Sequence, residues 1–134
     1  MISDEASICK IGEDTTAERA GIEVSKGQAV AIGARCMISY EVEIRNSVAQ
    51  SILELAAGRR INVPKSVHIN DHVWLGGYSR IDKGVAIPCD VIVGQGALVT
   101  RPIAQPKCIV AGNPARVIRT GTAWDKTRLP FSDE

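Results

Sequence analysis

A six-residue period in the branched aliphatic residues constrains the fold of this chain more than any other feature. One series takes every sixth residue and reads Ile69, Leu75, Ile81, Ile87, Val93 and Val99. A second series, small or β-branched, reads Val73, Ser79, Val85, Val91, Ala97 and Ile103. The residues that follow the first series favour turns, and they are Asn70, Gly76, Asp82, Pro88, Gly94 and Thr100. A unit of short strand and turn therefore repeats every six residues.

The same phase is present further upstream. The aliphatic position holds Ile32, Ile38 and Ile44, and the small position holds Cys36, Val42 and Val48. The N-terminal segment follows the pattern more loosely, and its candidate inward residues are Ile2, Ile8, Ile11, Ile22 and Val24. The repeat thus occupies two runs of one pattern, which indicates a single repeated architecture over most of the chain.

Period six excludes the two simplest regular structures. It fits neither the 3.6 nor the 3.5 residues per turn of helices, and strand alternation alone would not bring back a turn every six residues. Short strands joined by turns can instead stack as rungs that bury one continuous aliphatic column. Aromatic residues make up only 4% of the chain, as a narrow aliphatic core requires. The sequence therefore predicts a single-domain, all-β solenoid.

Two segments break the rhythm. Residues 52–66 lack it and are predicted to form a loop that leaves the solenoid, either as part of a binding face or as a tolerated insertion. After Val99 the rhythm ends in a segment with Pro102, Pro106 and Pro114. We therefore predict a β-helix over 1–117 with its loop near 52–66, and a C-terminal tail over 118–134 that folds back over an exposed end.

Composition and charge exclude several classes of protein. The net charge of +1 gives no field that would draw nucleic acid. No basic stretch followed by an apolar run opens the chain, and no apolar run reaches the length of a membrane span. The four cysteines form no C-x-x-C pair or zinc spacing, so we expect free thiols in a reducing cytoplasm and no metal.

Three segments resemble the hexapeptide-repeat acetyltransferases, in particular the O-acetyltransferases of sugars and surface polysaccharides. They are 70–76 (NDHVWLG), 94–101 (GQGALVTR) and 111–119 (AGNPARVIR). The resemblance implies a single-stranded, left-handed parallel β-helix with three flat faces and about five coils. It also implies a homotrimer that binds acetyl-coenzyme A, its acetyl donor, between neighbouring subunits.

The resemblance implies roles for several residues near the donor. Backbone groups at Gly77 and Gln95 match those along the pantetheine arm, and the two residues are spaced by three six-residue repeats, so they stack in successive coils. Thr100 and Arg101 match a threonine and a lysine near the coenzyme, and arginine keeps the charge with a different hydrogen-bond geometry.

Three further residues have open interpretations. Arg116 and Arg119 match basic residues near the nucleotide phosphates, although a solvated basic tail would give the same pattern. Trp74 matches a tryptophan beside the reacting thioester. Because it lies between two inward residues, its ring is expected to point outward, where either a ligand or trimer packing covers it.

The acceptor site departs from the family. Where its members read approximately S-D-x-H-S, with the histidine as general base, this chain reads S-V-A-Q-S over 47–51. Gln50 stands at the histidine and Val48 at the aspartate. An amide cannot accept a proton near neutral pH, and loss of a positioned base typically costs about 10²–10⁴ in rate.

The two histidines, His68 and His72, are expected at outward positions as surface residues. A γ-class carbonic anhydrase shares this coil but needs three histidine ligands, which this chain lacks. The sequence therefore favours a coenzyme A-dependent O-acyl(acetyl)transferase acting on a sugar or polysaccharide hydroxyl, impaired at Gln50. The alternative is a non-catalytic trimeric relative that serves as a binding or assembly module.

Overall fold

Short strands joined by tight turns make up the chain in the computed structural model, which describes residues 6–25, 27–48 and 50–131. Ile2, a candidate inward residue, lies outside the described residues. The strands are β1 (Ile8–Ile11), β2 (Thr16–Glu23), β3 (Ala29–Ile32), β4 (Met37–Arg45), β5 (Leu53–Glu54), β6 (Arg59–Arg60), β7 (Val67–Ile69), β8 (Trp74–Leu75), β9 (Arg80–Ile81), β10 (Ala86–Ile87), β11 (Ile92–Val93), β12 (Leu98–Val99), β13 (Cys108–Gly112) and β14 (Ala115–Thr120). Within these described ranges there is no helix, and so none that could cross a membrane.

Parallel pairing between successive coils builds three faces. The first face stacks β1, β3, β7 and β10. The second stacks the starts of β2 and β4 with β8, β11 and β13, and the third stacks the ends of β2 and β4 with β9 and β12. In the regular part, Trp74 pairs with Ile92 and Arg80 with Leu98, so three six-residue repeats make one coil. The predicted all-β solenoid of about five coils is confirmed.

The core is the aliphatic column that the period predicts. All members of the series from Ile69 to Val99 are at most 2% exposed, and Ser79 is fully buried within the second series. Burial of each such aliphatic side chain stabilises the fold by about 1.5–3 kcal/mol. Ile103 is only partly buried, because the last coil is covered on fewer sides.

Left-handed backbone conformations mark two corners of the coil. The first corner, between the first and second faces, has positive φ at Asp14, Arg35, His72, Asp90 and Lys107, one in each coil. The second corner, between the second and third faces, has positive φ at Glu41, Tyr78 and Gly96. Asp and Gly tolerate this conformation well, but most of these corner residues are of other types, and the turn formers of the repeat lie two residues before the corners rather than at them.

One backbone hydrogen bond closes the base of the insertion that leaves the solenoid. The Lys65 amide donates to the Asn46 carbonyl at 3.0 Å. Met37 pairs with Trp74 across the insertion, whereas Trp74 pairs with Ile92 across a regular coil, so the coil that carries the insertion is about twice as long in sequence. The segment predicted as a loop, 52–66, contains an antiparallel hairpin of β5 and β6.

Three candidate inward residues are exposed, and these predictions are wrong. Val48 is 46% exposed because the chain has left the coil after Asn46, so the six-residue step no longer applies there. Ile8 and Ile11 are 46% and 54% exposed. Ile11 pairs with buried Ile32, but no described strand lies on its other side. Ile22 and Val24 are partly buried against the core.

The C-terminal segment crosses the coils along the first corner. β14 pairs antiparallel with β13 and so covers the edge of the last coil. The chain then turns back: the Thr122 amide donates to the Lys107 carbonyl in that coil, and the Trp124 indole donates to the His72 carbonyl two coils away. The Lys126 ammonium lies 3.4 Å from the Thr16 hydroxyl in the first coil. The division at residues 117 and 118 stays a prediction.

Candidate functional site

Gly77 and Gln95 lie in successive coils at the second corner. The amide of Gly96, next to Gln95, donates to the Gly77 carbonyl at 2.9 Å. This bond and the register of the flanking strands put the two residues in line along the helix axis. The structure therefore brings together the two backbone positions expected to follow the pantetheine arm.

The adjacent glycines at this corner have different surroundings. A Cβ atom on Gly76 would lie 2.6 Å from the Val93 carbonyl oxygen and 2.8 Å from the Gln95 nitrogen, so the next coil leaves no room for one. A Cβ atom on Gly77 would meet only the Tyr40 carbonyl oxygen, at 3.4 Å. The backbone at Gly77 is thus uncovered on its outer side, where a ligand can approach.

Two of the predicted arginines line one cavity at the C-terminal end of the solenoid. This cavity of about 320 Å³ is bounded by Val99, Arg101, Pro102, Ile103, Ala104, Val110, Ala115, Arg116 and Val117. Two guanidinium groups beside an apolar wall suit an anionic ligand with an apolar body. Thr100 is exposed and precedes Arg101 in the chain. Arg119 is exposed on β14 but does not belong to the lining.

Trp74 is covered by its own chain. The indole nitrogen of Trp74 donates to the Ser39 hydroxyl at 3.1 Å. The Trp124 ring lies 6.1 Å away at a tilt of 49°. From the sequence, either a ligand or trimer packing was expected to cover this ring. In the structure, the C-terminal segment of the same chain covers it as well.

His72 is more constrained than a surface histidine. Its Nδ1 atom lies 2.7 Å from the Asp90 carboxylate, and its ring stacks on Trp124 with centroids 4.1 Å apart. The prediction of a plain surface side chain is wrong for His72, because the returning C-terminal segment covers it. Asp90 occupies the same position as His72 one coil later, so the repeat itself could have revealed this pair. His68, on β7, is exposed as expected.

The loop that carries Gln50 is organised around Asn62, which sequence reasoning missed. Asn62 is 7% exposed; its amide nitrogen donates to the Gln50 carbonyl at 2.6 Å, and its oxygen accepts from the Ile52 amide. The Arg60 guanidinium donates to Asn62 and to the Val48 carbonyl. The backbone carbonyls of Val48 and Gln50 are therefore both held by hydrogen bonds, while the Gln50 residue is exposed.

The buried thiols are not candidates for nucleophilic chemistry. Burial raises the pKa of Cys36, whose sulfur lies 3.2 Å from the Asn70 carbonyl oxygen. Burial likewise raises the pKa of Cys108. A thiol with a raised pKa is protonated near neutral pH and reacts slowly. In the described part of the chain no three His, Cys, Asp or Glu side chains cluster as metal ligands.

Two relatives of this chain are named as polysialic acid O-acetyltransferases. The chain is 34% identical over 128 residues to a polysialic acid O-acetyltransferase of Escherichia coli O1:K1, which is 95% of this chain and 41% of the relative. It is 36% identical over 117 residues to a polysialic acid O-acetyltransferase of Neisseria meningitidis, which is 87% of this chain and 54% of the relative. The chain therefore spans about half the length of these relatives. No protein-family model matches the sequence.

A solved structure shares the fold closely. The polysialic acid O-acetyltransferase OatWY superposes with a TM-score of 0.87 at 34% identity, over 90% of this chain and 57% of that one. The predicted left-handed β-helix is thus confirmed. The chain is a relative of the hexapeptide-repeat acetyltransferases in both sequence and fold, as the three matching segments indicated.

Proposed function

We propose that this chain is a coenzyme A-dependent O-acetyltransferase that acts on a hydroxyl of a sugar or polysaccharide. The observations that carry the proposal are the arginine-lined cavity at the C-terminal end of the solenoid and the uncovered backbone of Gly77, which is aligned with Gln95 at the second corner. Acetyl-coenzyme A has phosphates at one end and a long uncharged arm at the other. Arg101 and Arg116 suit the phosphates, and the uncovered corner backbone suits the amides of the arm. The relatives named as polysialic acid O-acetyltransferases support the same reaction class.

The reaction requires a proton acceptor that this chain has lost. The acceptor oxygen attacks the thioester carbonyl carbon, a C–O bond forms, and the C–S bond breaks. The hydroxyl proton leaves through a base and ends on the departing sulfur. Gln50 cannot take that proton, and Val48 cannot orient a base. We therefore expect turnover about 10²–10⁴-fold below that of a site with a positioned histidine.

A second candidate follows from the same two residues. Since both members of the acid–base pair are replaced, the chain could retain the trimeric solenoid solely as a binding or assembly module. This candidate predicts normal folding with no acyl transfer. It differs from the first in whether the donor cavity still binds acetyl-coenzyme A.

We further propose a homotrimer. Apolar side chains are exposed along the loop, including Leu55 at 94%, Leu53 at 53% and Ile61 at 51%. An apolar hairpin of this kind suits packing against a neighbouring subunit, where the Gln50 loop of one chain would complete the donor site of the next. We also propose a cytoplasmic location, because all four cysteines are free thiols.

Calorimetric titration of acetyl-coenzyme A into the purified protein tests the donor site. We expect micromolar binding near one molecule per chain. Arg116→Ala should weaken it about 10- to 100-fold, since a charge-assisted hydrogen bond contributes about 1.5–3 kcal/mol. Arg128→Ala is the matched control, because this exposed arginine does not line the cavity and its loss should leave affinity unchanged. No heat and no thermal stabilisation at millimolar coenzyme would refute acyl transfer and favour the assembly module.

A further inference from the structure

The two tryptophans of the chain meet on the outside of the solenoid, and neither belongs to the aliphatic core. Trp124 donates its indole N–H to the His72 carbonyl at 2.8 Å and stacks on the His72 ring with centroids 4.1 Å apart. The Asp90 carboxylate holds His72 in turn, 2.7 Å from its Nδ1 atom. Trp124 also lies against Trp74, whose indole N–H donates to Ser39. A continuous set of contacts therefore joins Asp90 to Ser39 through both indole rings.

These contacts restrain the Trp74 ring in two places. The Ser39 hydroxyl accepts from its N–H edge at 3.1 Å, and the Trp124 ring lies 6.1 Å away at a tilt of 49°. Trp124 is itself firmly placed, because it is 9% exposed and is the one buried residue between 118 and 131. An indole turns about only two side-chain torsions, so contacts at its edge and at its ring hold it in one orientation.

Trp74 points outward from the second face, in the same coil as Gly77. Strand register places Met37 beside it in the preceding coil and Ile92 in the next, so Trp74 brings an aromatic ring to an otherwise aliphatic stretch of this column. The ring is only partly buried, although the residues before and after it in the chain are fully buried. The face leads to the second corner, where the backbone of Gly77 is uncovered and aligned with Gln95. A ligand arm that lies along this backbone therefore has the open part of the Trp74 ring on the second-face side of the corner.

We propose that Trp124 is a positioning residue for the acetyl end of the donor. Trp74 supplies a flat apolar surface on which the acetyl methyl packs, and Trp124 keeps that surface in one orientation. The inference rests on the proposed binding of acetyl-coenzyme A and adds the C-terminal segment to that site. Trp124 touches no part of the donor in this arrangement, so its substitution acts only through Trp74.

Calorimetric titration with acetyl-coenzyme A and with coenzyme A isolates the acetyl group, by which the two ligands differ. Burial of the acetyl methyl on the Trp74 ring should make acetyl-coenzyme A bind about 4-fold more tightly than coenzyme A. Trp124→Ala should abolish this preference and leave the affinity for coenzyme A unchanged. Lys126→Ala is the matched control, because it removes another contact of the same C-terminal segment, 3.4 Å from the Thr16 hydroxyl, and should keep the preference.

The presence of only two tryptophans also permits a spectroscopic test. Protein labelled with fluorotryptophan gives two fluorine NMR signals, which Trp74→Phe assigns. Acetyl-coenzyme A should shift the Trp74 signal more than coenzyme A does, because the acetyl group lies on that ring. In Trp124→Ala the one remaining signal should respond equally to the two ligands.

Ser39→Ala releases the Trp74 ring from its other restraint without changing the C-terminal segment. It should also reduce the preference for acetyl-coenzyme A, and it decides the question if Trp124→Ala does not fold. Retention of the preference in both variants, or an equal loss in Lys126→Ala, would overturn the inference. Equal affinity of the unaltered chain for the two ligands would defeat the role of Trp124 and leave the donor site standing. A chain that binds neither ligand would refute the proposed donor site itself.

Discussion

Replacing Gly76 with alanine should destabilise the solenoid far more than the same change one residue later. The added methyl would lie 2.6 Å from the Val93 carbonyl oxygen, whereas a C···O contact needs about 3.3 Å. The two coils would have to separate by about 0.7 Å, which also strains the bond from the Gly76 amide to Val93, now 2.8 Å. Overpacking of about 1–3 kcal/mol plus about 1 kcal/mol for the weakened bond gives about 2–4 kcal/mol.

Gly77→Ala is the matched control, because the nearest atom to its methyl would be 3.4 Å away. Its effect should stay within about 0.5 kcal/mol. Thermal unfolding followed by circular dichroism measures both. With about 2.1 cal/mol/K of unfolding entropy per residue, a loss of about 3 kcal/mol over 134 residues lowers the midpoint by about 10 °C. Equal midpoints for the two variants would show that the coil spacing at this corner does not require glycine.

Three further predictions concern the C-terminal segment and the loop. Trp124→Ala should lower the free energy of unfolding in urea by about 3 kcal/mol, because it removes a buried ring that stacks on His72. Trp124→Phe should lower it by about 1 kcal/mol, and equal losses for the two variants would contradict the stacking role. The double variant Val48→Asp, Gln50→His should raise acetyl transfer about 10²–10⁴-fold, and an unchanged rate would count against the alignment of the loop. Asn62→Ala should speed hydrogen exchange of the loop amides without shifting global unfolding, and unchanged exchange would show that Asn62 does not organise the loop.

The core was predictable because its cause is local. Each coil buries residues whose spacing is fixed by strand alternation and a tight turn, so positions such as Leu75 and Val93 follow from their neighbours in the sequence. Val48 shows the limit of this reasoning. It continues the six-residue step by residue type, yet the chain has already left the coil at Asn46. A repeat of residue types in the sequence does not show at which residue the chain leaves the coil.

Contacts outside the repeat were not predictable in the same way. Trp124 binds the His72 carbonyl across 52 residues of sequence, and no period connects the two. Asn62 is one polar residue among several in the loop, and only its burial shows that it organises the hydrogen bonds there. The contact between the rings of Tyr40 and Tyr78 is an intermediate case. Tyr40 and Tyr78 lie on opposite sides of the insertion in the sequence, so their meeting depends on where the chain rejoins the coil after it.

The proposed donor positions and Gln50 belong to different parts of the molecule, so the proposed function allows the base to be replaced without any change to the donor positions. Gly77 and Gln95 are fixed by coil stacking, which is the same hydrogen bonding that holds the core together. Gln50 lies on a loop whose own bonds run through Asn62 and not through the coils. Substitution at Gln50 therefore carries no penalty for the fold, whereas loss of the donor corner would disturb the stacking of the coils. Placing a histidine at residue 50 should consequently leave the unfolding midpoint unchanged even where it raises the rate of acetyl transfer.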